Sequence, residues 1–599
     1  MRRADLARAL PLLALLLITL YGTLLRLDAL VTKYGTVDHP RWAAVLTGHV
    51  APLGARLRPY DRGWPAQPHP YQGGDPINYL RFAREMTHFY QPHVREPVFL
   101  AVTRGYLWLL SDQDVAVSFA SATGSVLAIV GTYLLAAVLM PPLAALGAAL
   151  VVAVEFDLIT WAVDGWRDDL FTACVLWTAW AFLRLRRTPS GGNALLVGTC
   201  ASVACLTRIT ALSFVLPALL WTVVDAAPGT RRERIRMAAV ALAVMTALVA
   251  PYVISCAIAT GDPLYAINYH TIYYRHGEGM PIDETMSVSD YLATKFARHP
   301  AATLDTGFMG LFVEPFITKW GGLAPIVGGA RRVLVWGAVA GLVLLPFSAA
   351  GRLLLVALFG SLLPYAWTWN VGGGNAWRFT MHAYPIYIVA AFCAVACAWS
   401  TGAQVRAEGR AFLRKPSRRI VVGAAAVLSL AAAGSLAYVL LPWLVVRERI
   451  GRGEDVNIEA GPRDAVFFRG GWSRPHRESI MVRVSLGERS HVYIPLPARA
   501  PYELALRLDP VVPGSPQRVT VLFNGPLVAR FELGWNPERV GSYRLRLQPH
   551  QVRIGRNELT LVPETLVPAA SAGPRFAWLP PADQIGIRLW YVRVRPGGE

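Results

Sequence analysis

Eleven apolar runs divide the first three-quarters of the chain, at about 9–27, 114–139, 142–163, 170–184, 194–207, 209–225, 236–259, 332–348, 352–369, 384–400 and 419–444. A membrane span needs about 20 apolar residues. Backbone polar groups cannot face hydrocarbon unpaired, so runs of this kind predict helices. The charge between them tests the arrangement. With the N-terminus cytoplasmic, the inner segments carry Arg2, Arg3 and Arg8, then Arg184, Arg186 and Arg187, then Arg231–Arg236, Arg352 and Arg406–Arg419. That is the positive-inside pattern, with Arg331 and Arg332 as the departure on the outer side. It also accounts for the net charge of +19 without a nucleic-acid partner, because the cations cluster between apolar runs. Charged residues are only 16% of the chain, against about 25% in soluble domains, which excludes a purely cytosolic enzyme. The six cysteines all lie in apolar runs, without zinc spacing, so a disulfide framework in exposed loops is excluded. PLLALLLITLYGTLL, after MRRADLARA, reads as an uncleaved first span, since no small-x-small cleavage site follows.

The outer segments are the long ones. The first, about 28–113, is too long for a connector and holds two amphipathic stretches, PINYLRFAREMTHFY and REPVFLAVTRGYLWLL, suited to helices at the membrane interface. A second spans about 260–330, and a third holds NVGGGNAWRFTMHAYP. Near residue 447 the pattern changes to short alternating segments: SIMVRVSL, HVYIPLP, YELALRL, RVTVLFN, LVARFEL, SYRLRLQ, NELTLVP and IGIRLWYVRVRP. Gly, Pro and Asn punctuate them, as in a β-sandwich, and Asn524-Gly525 predicts a tight hairpin turn. The expected fold class is a polytopic α-helical membrane protein of about eleven transmembrane helices. It divides into a transmembrane domain, 1–446, and an extracytoplasmic all-β, jelly-roll-like sandwich, 447–599. Trp472, Trp535, Trp590 and Tyr591 form either a sugar-stacking platform or ordinary sandwich core.

Four elements on the outer face carry candidate chemistry. In GGDPINYLRFAREM, Asp75 precedes an amphipathic helix, as an N-cap or as a carboxylate able to take a proton from a hydroxyl. In HVREPVFLAV, Glu96 stands at a helix start beside Arg95, with which an ion pair is the simplest role. DGWRDDLF places Asp164, Arg167, Asp168 and Asp169 at the outer ends of two spans, where ionised groups are functional candidates. In CLTRITAL, Arg208 lies between two apolar runs and could grip a phosphate through two N–H donors. Weaker candidates are Asp28, which ends the first span and is the alternative base, and Arg275, Lys319, Arg378 and His382 in later outer loops. His39, His49, His69, His88 and His93 crowd the first loop without zinc spacing.

Taken in order, these four elements resemble the GT-C superfamily of glycosyltransferases that use polyprenyl-phosphate sugars, closest to the protein O-mannosyltransferases and the lipid A aminoarabinose transferases. The matching residues are Asp75, Tyr79, Ala83 and Arg84-Glu85-Met86, then Glu96-Pro97, then Arg167-Asp168-Asp169, then Leu206-Thr207-Arg208. Pro76 stands where the family's acidic pair has its second acid. The resemblance covers residues 9–225 and implies a membrane glycosyltransferase; the Arg-rich cytoplasmic loops suggest a bacterial inner membrane. Asp75 would be the general base of an inverting displacement. Glu96 and Asp169 would position acceptor, sugar or a bound cation, and Arg208 would bind the lipid phosphate, with Arg167, Asp168 and Tyr79 beside it. The implied partners are a polyprenyl-phosphate sugar, a glycan, lipid or protein acceptor, and membrane lipids. No cofactor is established, and a divalent cation held by carboxylates stays open. The alternatives are an oligosaccharyltransferase-like enzyme using a lipid-pyrophosphate glycan, and a transporter or scaffold with a glycan-binding outer domain.

Overall fold

The computed structural model describes residues 3–34, 45–65, 74–225, 229–282, 285–371, 376–408, 418–512, 516–534 and 541–597. Arg2, His39, His69 and Trp535 lie outside the described residues.

Every one of the eleven apolar runs is helical. The first part of the chain gives α1 (Arg3–Tyr34), α2 (Gly74–Glu85), α3 (Pro97–Leu109), α4 (Ala116–Ala136), α5 (Pro142–Val154), α6 (Phe156–Ala162), α7 (Asp168–Arg187), α8 (Gly191–Thr207), α9 (Leu212–Val224) and α10 (Arg231–Thr260). Later helices include α11 (Arg331–Leu344), α12 (Ala349–Ala366), α13 (Tyr384–Glu408) and α14 (Arg418–Gly451). Among the described residues seven helical stretches are long and apolar enough to cross a membrane, or eight if α5 and α6 count as one broken span bent by 56°. The protein is thus a multi-pass membrane protein. Leu12, Leu16 and Leu20 on α1 are more than half exposed, as lipid-facing side chains should be.

The two amphipathic stretches of the first outer loop are α2 and α3. Asp75 sits in the first turn of α2, one residue after its start, and so is not the N-cap. The break between α5 and α6 falls at Glu155, whose carboxylate accepts from the Leu158 N–H at 2.5 Å and caps α6. That local job explains an acid deep in an apolar run. The small residues of α4 let α7 approach closely. A Cβ on Gly124 would lie 2.4 Å from the Leu170 nitrogen and 2.5 Å from its Cα. Gly124→Val is therefore expected to lower the thermal stability of the purified protein by about 1–3 kcal/mol. Gly105→Ala, inside α3 where nothing lies within 4 Å of the added carbon, should instead stabilise by about 0.5–1 kcal/mol through helix propensity.

The chain forms two compact bodies: residues 1–292 with 306–425, and residues 293–305 with 426–599. The second reaches further back than residue 447 because the end of α14 belongs to its core. Val446 and Ile450 are buried with the sandwich residues, and Trp443 stacks on Phe467 at 5.6 Å. Two antiparallel sheets make the sandwich. One has the order β3 (His476–Arg477), β4 (Met481–Leu486), β12 (Gln584–Pro596), β6 (Tyr502–Pro510), β9 (Gly541–Leu547), with β1 (Val456–Glu459) and β11 (Val567–Pro568) also on β12. The other has the order β2 (Phe468–Arg469), β5 (Ser490–Leu496), β10 (Gly555–Pro563), β7 (Gln517–Phe523), β8 (Leu527–Leu533). All eight strands expected from the alternation are present. Asn524 and Gly525 both have positive φ, 53° and 107°, as the tight β7–β8 hairpin requires. Trp590 is no platform residue: it is buried, and its indole N–H donates to Asp509 at 3.0 Å.

Candidate active site

α2, the residues just before α3 and α7, the break between α8 and α9, the segment Tyr265–Gly277, the end of α12 and Arg378–Phe379 line a cavity of about 250 Å³. Asp75, Tyr79, Glu96, Arg167, Arg208 and Arg378 all line it. Five of these come from the four motifs, and Arg378 comes from a late outer loop, so the fold brings distant candidates into one chamber.

The cavity is organised as interlocked ion pairs. Asp75 accepts from Arg95 and from Arg378, each at 2.8 Å. Glu96 accepts from Arg167 through one oxygen and from the Ile209 backbone N–H at 2.8 Å through the other. It therefore does not pair with its neighbour Arg95, which turns to Asp75. Asp168 accepts from Arg208, and Arg378 lies 3.6 Å from its other oxygen. Arg208 also donates to the Tyr365 hydroxyl at 3.0 Å and lies 5.5 Å from the Phe171 ring centroid. Arg378 sits 3.8 Å over Trp166, a cation–π contact that orients it. Tyr252 of α10 donates to the carbonyls of His93 and Arg95 at 3.1 and 3.3 Å, fixing the backbone that presents Arg95 and Glu96.

Electrostatics follows from these contacts. Burial alone would raise the Asp75 carboxyl, but Arg95, Arg378 and Arg167 outweigh it and hold the group well below the usual carboxylate range. Burial, reinforced by Arg95 and Arg167, pushes His270 well below the usual imidazole range, so its ring is neutral at pH 7. Its Nε2 meets Arg95. Among the described residues four guanidinium groups, Arg95, Arg167, Arg208 and Arg378, thus face three carboxylates, Asp75, Glu96 and Asp168. The surplus is one positive charge.

That donor set does not fit a divalent cation. Each of the three carboxylates is already engaged by a guanidinium, and among the described residues no three His, Cys, Asp or Glu side chains converge. It fits an anion that can exchange with the carboxylates for guanidinium donors, as a phosphate does.

Asp168 and the other candidates lie outside the lining. Asp169 points behind it, accepting from Ser121 at 3.2 Å. Asp28 accepts from Arg58 at 2.7 Å and from the Trp64 indole at 2.7 Å. Arg275 donates to the Pro281 carbonyl at 2.8 Å. Lys319 is buried and donates to Thr380 at 2.7 Å and to the Trp377 carbonyl at 3.1 Å. His382 packs edge-on against Phe171 at 5.2 Å. Sequence reasoning missed Arg95 as the partner of Asp75, and the aromatic walls Trp166, Tyr273, Tyr274, Tyr365 and Phe379. Trp166 had a signal, standing two residues before Asp168, as did Phe379 beside Arg378 and Tyr274 beside Arg275.

Residues 91–254 match the family model of the dolichyl-phosphate-mannose-protein mannosyltransferases. No curated protein matches the sequence. Among solved structures the chain is similar to the archaeal oligosaccharyltransferase AglB of Archaeoglobus fulgidus, solved with an inhibitory peptide and a dolichol-phosphate (14% identity, TM-score 0.42, 72% of this chain). The chain spans about half, 55%, of that protein's length. It is also similar to ArnT of Cupriavidus metallidurans bound to undecaprenyl phosphate (14% identity, TM-score 0.36, 63% of this chain and 65% of that one). A third is the arabinosyltransferase EmbB of Mycobacterium smegmatis (13% identity, TM-score 0.21, 93% of this chain and 67% of that one).

Proposed function

We propose that this chain is a membrane glycosyltransferase of the GT-C superfamily that takes its sugar from a polyprenyl-phosphate donor and gives it to a hydroxyl of an extracytoplasmic glycan, lipid or protein. The observation that carries the reading is the cavity lined by four guanidinium groups and two carboxylates, with the Asp168 carboxylate paired to Arg208 behind the lining, within and beside the stretch that matches the mannosyltransferase family model. The donor's phosphate takes up guanidinium donors of Arg208 and Arg378. Drawing Arg378 away from Asp75 removes one of the charges that depress its carboxyl, so donor binding itself raises the basicity of Asp75. The acceptor hydroxyl then attacks the anomeric carbon as its proton passes to Asp75. The bond from that carbon to the phosphate oxygen breaks, the electron pair stays on the phosphate, and the arginines stabilise the added charge. One displacement inverts the anomeric centre. Glu96 positions Arg167 and the start of the helical segment at Ile209. The basic inner loops support a cytoplasmic N-terminus and a reaction on the opposite face of the membrane.

The test uses the purified protein in lipid nanodiscs, a panel of polyprenyl-phosphate sugars and mixed cell-envelope acceptors. Release of free polyprenyl phosphate that requires an acceptor supports the reading. Turnover only with a lipid-pyrophosphate oligosaccharide would overturn the donor class. Failure of every lipid donor to bind would overturn the assignment of the cavity.

A further inference from the structure

The outer face of the five-stranded sheet holds a second cavity, of about 470 Å³, built wholly from the sandwich. The strand alternation explains it. Val492 and Ile494 of β5, Leu559 and Leu561 of β10, and Val521 and Phe523 of β7 point into the core. Their neighbours must point out. The register sets Thr560 between His491 and Leu522, and Glu558 opposite Tyr493. Arg489, Arg553 and Arg556 stand around this floor, with the Asn524-Gly525 turn at one end.

The floor is pre-organised. The His491 ring nitrogen Nδ1 lies 2.8 Å from Glu558 and 3.1 Å from the Thr560 hydroxyl, which donates to Glu558 at 3.2 Å. That network occupies the only acid in the lining. Asn524 is locked by its amide, which donates to Asn557 at 2.9 Å, and by its carbonyl, which accepts from the Glu558 N–H at 3.0 Å. The Arg556 guanidinium lies 3.7 Å from the Tyr493 ring centroid, so it is held in place without an anion. Among the described residues no ion pair holds Arg489, Arg553 or Arg556, and all three are exposed.

The geometry points to a binding site for an acidic saccharide, a sugar chain bearing carboxylate or phosphate groups. The size suits a short oligosaccharide. Three guanidiniums supply bidentate donors for its anionic groups, while the hydroxyl, amide and imidazole groups of the floor suit sugar hydroxyls. A lipid surface is a poorer match, because Leu522 is the only aliphatic side chain in the lining and nothing there could enter acyl chains.

The experiment titrates the full chain, in nanodiscs of neutral phosphatidylcholine, with three probes: a uronic-acid tetrasaccharide, a phosphorylated oligosaccharide, and the uronic-acid tetrasaccharide after reduction of its carboxyls. Binding of either acidic probe, at least tenfold tighter than the neutral one, is the expected result and names the anion. The exposed double variant Arg553→Gln/Arg556→Gln should weaken it at least tenfold. The Asp75→Asn variant should bind as well as the parent, so failure here is distinguishable from failure of the transfer reading. No binding of either acidic probe, equal binding of the neutral one, or no loss in the double variant would overturn the proposal. So would arginine-dependent binding to phosphatidylglycerol vesicles without binding to the saccharides.

Discussion

Asp75→Asn is expected to lower the rate of sugar transfer about 10³-fold, the middle of the range for loss of a positioned proton acceptor. The amide keeps the shape of the side chain but can no longer take the hydroxyl proton. Donor binding should survive, since Arg208 and Arg378 remain, and Asp75→Glu should recover part of the rate. A variant that transfers sugar at the parent rate would exclude Asp75 as the base. The pH profile supplies a second reading. Because the guanidiniums hold the folded carboxyl below its unfolded value, the ionised form persists as pH falls through about 4, and is lost only near the depressed value. The stabilisation from the pair is complete above the unfolded pKa and lost below it in the same way. The donor-free protein should therefore show no change of charge at Asp75 between about pH 5 and 8, measurable as the absence of a titrating carboxyl in difference infrared spectra of parent and Asp75→Asn.

The second large effect is on stability. Glu96→Ala is expected to cost about 3–5 kcal/mol, because it leaves the buried Arg167 guanidinium without its partner and the Ile209 N–H without an acceptor. Glu96→Gln keeps an acceptor for one of the two and should be milder. The measurement is thermal denaturation in detergent. A melting temperature within 2 °C or so of the parent for Glu96→Ala would show that the joint it makes is not structural.

Much of this was legible in the sequence, for identifiable reasons. The spans were visible because a bilayer imposes a length and a composition, and the strands because burial on one face imposes a period of two. β1, β2, β3 and β11, of two to four residues, are too short to show a period. The order of Asp75, Glu96, Arg167-Asp168 and Arg208 marked the cavity, but not who pairs with whom. Arg95 and Glu96 are neighbours and suggest a pair, yet side chains flanking a helix start diverge, so one meets Asp75 and the other Arg167. Arg378 reaches Asp75 from 303 residues away, which no local pattern announces. Asp28 ends a span as a catalytic acid might, and only the fold reveals that Arg58 and Trp64 occupy it.

The single surplus positive charge of the cavity has a consequence for turnover. A polyprenyl-phosphate sugar is a diester and carries one negative charge, which that surplus balances. The lipid monophosphate left behind carries about 1.5 to 2. On the proposed reaction the spent carrier is therefore expected to bind more tightly than the fresh donor, which product inhibition by added polyprenyl monophosphate checks.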